Sequence, residues 1–217
     1  HDVVAAVRRR FDLEKVGHAG TLDPNATGLL ILLLGKGTKL SEKLMASDKV
    51  YEGTAKFGEA TDSYDSDGEI TSSLPVPPLT LEELNEYAAE FEGDILQTPP
   101  MVSAVKKDGV PLYKLARKGM EVERKPKLIH VYSFRFTSYD EPLGNFRVAC
   151  TKGTYVRSLA HELGGKAGCG AHLSELRRIT SGRFDVSDAI SLESALALPP
   201  SELGKRVIPF LKLSGLE

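Results

Sequence analysis

Asp23 stands in a Gly-rich turn within residues 16–34, VGHAGTLDPNATGLLILLL. Pro24 has no amide proton and biases Asp23 toward extended backbone. The apolar run that follows is long enough for a buried strand, expected over residues 28–34. One carboxylate on a tight loop, backed by a rigid strand, suits catalysis. It could serve as a nucleophile or a general base. Asp-Pro-Asn is also an ordinary turn signal, and by composition alone that reading is the stronger.

Other constellations carry less. Gly35-Lys36-Gly37-Thr38 suggests a phosphate loop, but the motif needs a Gly where Leu30 stands. The acidic turn TDSYDSDGE over residues 61–69 suggests calcium, yet the register puts Leu74 where a bidentate Glu belongs. Cys169 and His172 form a Cys-x-x-His with no second pair to complete four ligands, so packing and turn roles are expected. No metal is expected.

The elements that must position Asp23 can be read from periodicity. Residues 1–11 read as a helix with Val3, Val4 and Val7 inward. A short helix follows over 39–46, then an alternating strand over 49–58 carrying Tyr51. Thr80 and Glu83 form a capping box for a helix over 80–91, with Leu81, Leu84, Ala88 and Phe91 on its apolar face. A strand-like stretch over 101–105 leads through Lys-Lys-Asp-Gly into a basic helix ending at Gly119. Residues 128–139 and 145–151 read as antiparallel strands. Gly153 and Thr154 end a strand and open a helix, with Tyr155 and Arg157 at the junction. Residues 170–184 read as a strand with a basic end. The sum is α+β, a mixed, mostly antiparallel sheet with interspersed helices.

The string HAGTLDPNATG resembles the catalytic loop of the TruB family of tRNA pseudouridine synthases. Four further blocks match in family order: TDSYDSDG, the PPMVSAVKKDGVPLYKLAR segment, KGTYVRSLAHELG and LRRITSGRF. Tyr64 and Val102 depart from the usual residues of their motifs. The resemblance implies the pseudouridine synthase fold with a central cleft and Asp23 as catalytic carboxylate. It implies Tyr51 stacking on the target base, Arg157 pairing with Asp23, and Tyr155 and Leu176 bordering the uracil pocket. Asp65 would order the active-site side, and His18 would steady the flipped nucleotide or fill its place in the stack. An insertion over about 101–127 would form a flap over RNA. Lys106, Lys107, Lys114, Arg117, Lys118, Arg177 and Arg178 would meet the RNA backbone. The substrate would be the T-loop uridine of tRNA, position 55 in tRNA numbering, presented by the T-arm stem-loop.

The chain has 217 residues, 41% hydrophobic and 27% charged, enough for one substantial core. One catalytic domain is expected over 1–210, with a short tail at 211–217. The family's first motif is expected to precede His1, and the C-terminal RNA-binding domain of the PUA type common in bacterial relatives is expected either to follow Glu217 or to be lacking in this member. Net charge is −2, but basic residues are segregated. Residues 57–105 hold eleven acids and no Lys or Arg, whereas 106–127 hold eight basic residues and three acids. Segregated positive charge is what binds phosphate. No apolar run reaches the roughly 18 residues that cross a bilayer, and two cysteines are too few for a disulfide framework. A monomer without cofactor is expected, in the cytoplasm of a bacterium or an organelle or nucleus of a eukaryote. A non-catalytic RNA-binding or tRNA-folding protein on the same scaffold is the alternative; a pure binder has no need of Asp23, Tyr51 and Arg157 together.

Overall fold

The computed structural model describes residues 2–103, 105–116 and 118–214. Helix α1 (Asp2–Arg10) leads into three short strands, β1 (Val16–His18), β2 (Ala26–Gly28) and β3 (Leu32–Leu34). After a 3-10 turn at Gly35–Leu40 come α2 (Ser41–Met45), β4 (Lys49–Phe57), β5 (Glu59–Thr61) and β6 (Ile70–Ser73). Then follow α3 (Leu81–Ala89), β7 (Gly93–Gln97), β8 (Lys106–Lys107), β9 (Val110–Pro111) and α4 (Leu112–Ala116). Two long strands, β10 (Lys127–Asp140) and β11 (Leu143–Cys150), precede α5 (Val156–Lys166). The chain closes with β12 (Ala171–Ser181), β13 (Phe184–Asp185), α6 (Leu192–Ala197), α7 (Pro200–Arg206) and α8 (Phe210–Ser214).

The main sheet runs β13-β12-β4-β11-β10-β7, with β2 added parallel to β12. Every other pairing in it is antiparallel. This is the mixed, mostly antiparallel α+β fold expected from the alternation. One sheet face is covered by α3 and α5. The core there includes Phe57, Phe134, Phe136 and Phe146, joined by ring contacts of 5.3 to 6.2 Å. Fully burying each such side chain stabilises by about 1.5–3 kcal/mol. The α3 capping box forms as its sequence dictates: Glu83 N donates to Thr80 Oγ1 at 3.1 Å, and Thr80 N to Glu83 Oε2 at 2.8 Å.

Three expectations change. The apolar run at 28–34 is two strands, because its ends find different partners: β2 joins β12, and β3 pairs with β1. Gly28 makes the break, with φ +93°, and a Cβ there would lie 2.3 Å from the Arg178 carbonyl oxygen. The helix expected over 39–46 is a 3-10 turn followed by the five-residue α2. The stretch expected as strand at 101–105 is bent over Met101–Ser103, and the basic helix after it is only α4. The Lys-Lys-Asp-Gly turn itself forms, joining β8 to β9.

Candidate active site

Asp23 sits on the loop between β1 and β2. The turn closes where Ala26 N donates to Asp23 O at 2.9 Å. Behind it, β2 runs alongside β12, with Ala26 opposite Leu176 and Gly28 opposite Arg178. The Asp23 side chain is 41% exposed, so it is open to a substrate.

Arg157 enters from the first turn of α5, and its side chain is 5% exposed. Its Nε donates to Asp23 Oδ2 at 2.8 Å and its Nη2 to Asp23 Oδ1 at 3.5 Å. The same guanidinium donates to the carbonyls of Ser63 at 2.9 Å and Val102 at 3.0 Å. Its Nη1 lies 3.3 Å from Asp65 Oδ2. A planar fork with five donors is what this arrangement needs. Asp65 is fixed in turn, accepting from Ser63 Oγ at 2.5 Å and from the Asp67 amide at 3.1 Å. Asp23, Arg157 and Asp65 thus form one charged network.

Tyr51 lies on β4 directly across from Arg178 on β12 and from Val148 on β11. Burial pushes its phenol up, while the charge of the neighbouring Arg178 pulls the other way. Leu176 sits two residues before Arg178, opposite Gly53, half-buried against the edge of the core. Tyr155 is the N-cap of α5, and its phenol is also pushed up by burial. His18 is half-buried on β1, paired with Leu32.

Two contributors lacked a sequence signal. Gln97, at the end of β7, clamps Tyr155: Tyr155 N donates to Gln97 Oε1 at 2.7 Å, and Gln97 Nε2 to Tyr155 O at 3.1 Å. Tyr64 holds φ +67° and stacks on His161 at 3.9 Å between ring centroids. His161 lies one turn beyond Arg157, so the Asp65 loop is fastened to α5 at two points.

The basic residues divide. Lys114, Lys118 and Arg177 are exposed, and Lys107 is half-buried with Nζ 3.3 Å from the Glu123 carbonyl. Arg117 and the Lys106 side chain lie outside the described residues. Arg178 requires a correction. It was expected to face RNA, but it is 1% exposed. Its Nε donates to Leu29 O at 2.8 Å, Nη1 to Thr21 O at 3.3 Å and Nη2 to Gly20 O at 3.1 Å. Strand alternation turns it inward beneath the Asp23 loop. Cys169 is buried, and His172 Nδ1 meets the Glu59 carbonyl at 3.0 Å, so both serve packing.

Residues 8–156 match the TruB family pseudouridylate synthase N-terminal domain, and residues 157–208 match the tRNA pseudouridylate synthase B C-terminal domain. The chain belongs to the TruB family of pseudouridylate synthases. It is 56% identical over 209 residues to tRNA pseudouridine synthase B of Opitutus terrae, covering 96% of this chain and 87% of that one. It is 50% identical to the protein of the same name from Geobacter sulfurreducens, covering 89% of this chain and 64% of that one. Among solved structures, a chain of a Cbf5-Nop10-Gar1 complex superposes with TM-score 0.71 at 30% identity, covering all of this chain. A chain of an H/ACA RNP bound to a substrate RNA containing 2′-deoxyuridine gives 0.67 at 27% identity. This chain spans about half the length of both, 53% and 52%.

The two TruB family matches meet between Val156 and Arg157. The sheet does not divide there, since β12 pairs with β4 along nearly its whole length. The Asp23–Arg157 pair also spans that boundary, so this TruB-family site needs both segments folded together.

Proposed function

We propose that the chain converts the T-loop uridine of tRNA, position 55 in tRNA numbering, to pseudouridine, with Asp23 as the catalytic carboxylate. The observation that carries this reading is the Asp23–Arg157 pair. A half-exposed carboxylate is held by a buried planar fork, itself braced by Asp65 and two carbonyls. The names of the curated relatives supply tRNA as the substrate.

The isomerisation breaks the C1′–N1 bond and forms C1′–C5. N1 gains a proton and C5 loses one, so nothing is added overall and no redox or metal partner is required by the balance. The reaction needs one positioned carboxylate. Asp23 could attack C1′, add to C6 of the ring, or remove the 2′ proton. Arg157 fixes the orientation of both carboxylate oxygens in all three, which is a positioning effect. The nucleotide must leave its stack to reach Asp23. Tyr51 would stack on the extruded uracil and help take the C5 proton, with Leu176 and Tyr155 as pocket walls. His18 would fill the vacated stack or steady the flipped nucleotide. Lys106, Lys107, Lys114, Arg117, Lys118 and Arg177 would contact phosphates, and recognition would rest on stem-loop shape. Asp23, Tyr51, Asp65 and Arg157 all come from one chain, so the site needs no second copy, and the acting unit would be a monomer.

The test is tritium release from a T-arm stem-loop carrying uridine labelled at C5. The protein should release tritium, and Asp23→Asn should lose at least about four orders of magnitude in rate while binding the RNA within a few-fold. Substantial release by Asp23→Asn would remove its catalytic role.

A further inference from the structure

Arg178 is a buried cation that the reaction scheme does not use. Among the described residues it has no carboxylate within salt-bridge distance, and its guanidinium donates to the carbonyls of Leu29, Thr21 and Gly20. Burying a charge without a counter-charge is expensive, and an apolar side chain would fill the same space at lower cost. What Arg178 alone supplies is a rigid fork of donors.

Those donors reach both halves of the site. Gly20 and Thr21 precede Asp23 by three and two residues, and Leu29 opens the segment after β2. The chain is therefore gripped on both sides of the acid. The Arg178 backbone adds to this, because its carbonyl accepts from Leu29 N at 2.9 Å. Across the sheet, Arg178 is the register partner of Tyr51. Adjacent paired residues on antiparallel strands project to one face, so the guanidinium lies between the Asp23 loop and the phenol.

We propose that Arg178 is a positioning residue for the isomerisation, holding the Asp23 loop against the Tyr51 side chain as one rigid unit. This rests on the reading of Tyr51 and Asp23 given above. The acid and the aromatic then meet the extruded nucleotide at a fixed separation. The guanidinium's charge beside the phenol opposes the upward push of burial on it. It thereby makes the oxygen a better resting place for charge while the C5 proton leaves. Asp23 is thus held by two arginines with separate tasks: Arg157 orients its carboxylate, and Arg178 fixes the backbone that carries it.

The test is a double-mutant cycle of Arg178→Lys and Tyr51→Phe. The readouts are the single-turnover rate of tritium release at saturating stem-loop and the RNA dissociation constant. Arg178→Lys should slow release by about 30-fold or more, with binding changed less than about threefold. In the Tyr51→Phe background the same substitution should cost at least about threefold less. Equal slowing in both backgrounds overturns the proposal. So does weakened binding with an unchanged rate, which would return Arg178 to direct RNA contact. Circular dichroism checks the fold of each variant. If Arg178→Lys does not fold, Gly20→Ala displaces one of the three carbonyl acceptors from the loop side, and the same rate, binding and coupling criteria apply. Absence of release by the unsubstituted protein would fault the proposed reaction, whereas release that Arg178 does not couple to Tyr51 faults this inference alone.

Discussion

Arg157→Lys tests the site geometry directly. It keeps the positive charge and a side chain of similar length, so only the fork is lost. Arg157 meets two oxygens of Asp23, one of Asp65, and the carbonyls of Ser63 and Val102. A single ammonium has three donors on one nitrogen and cannot span these acceptors. At least two charge-assisted contacts are lost, each worth about 1.5–3 kcal/mol. The share falling on Asp23 must be discounted, since that side chain is 41% exposed and screened by water. A net loss of about 3 kcal/mol remains, which is roughly a hundredfold in kcat/KM. Single-turnover tritium release measures the rate, and filter binding measures the RNA complex. The loss should fall on the rate, because Arg157 orients the carboxylate and is too buried to meet phosphate. A folded Lys variant within threefold of the parent rate would refute the reasoning, because the fork would then be unnecessary.

The other expectations follow from single observations. Gly28→Ala puts a Cβ 2.3 Å from the Arg178 carbonyl at a φ of +93°, and should destabilise by about 2–5 kcal/mol in urea unfolding. An unshifted midpoint would mean that β2 and β12 are not held this closely. Burial holds the His161 imidazole below its ordinary value. The unfolded chain therefore binds more protons below about pH 6.5, and stability falls as pH drops through that range. His161→Gln should flatten this fall between about pH 7.5 and 5.5, and an identical pH dependence would count against it. Replacing Lys107, Lys114 and Lys118 together by Ala should lower the slope of log affinity against log salt by about 2, and an unchanged slope would remove this segment from the RNA contact.

What the sequence shows and hides follows from the distance over which each feature is determined. The α3 cap is legible because Thr80 and Glu83 satisfy each other within one turn. The long strands β10 and β11 are legible because alternation is local and the core needs one apolar face. Asp23 is legible as a loop acid, although its catalytic reading rests on the resemblance of a whole string. The break at residues 28–34 is hidden. Nothing in GLLILLL says that its first residue will join a strand 150 residues later while its last three return to β1. The Gln97 clamp on Tyr155 is hidden for the same reason, since it joins residues 58 positions apart.

Arg178 is a different case, because the signal was present and local. In a strand, residues two apart share a face. Leu176 packs against the core, so alternation alone places Arg178 on that side and sends Arg177 the other way. The structure shows this division: Arg177 is exposed and Arg178 is buried. The two arginines in LRRITSGRF therefore lie on opposite faces of one strand. The resemblance implies that both meet RNA; strand geometry leaves only Arg177 exposed to do so. The other lies buried under the loop that carries Asp23, bonded to the carbonyls of Gly20, Thr21 and Leu29.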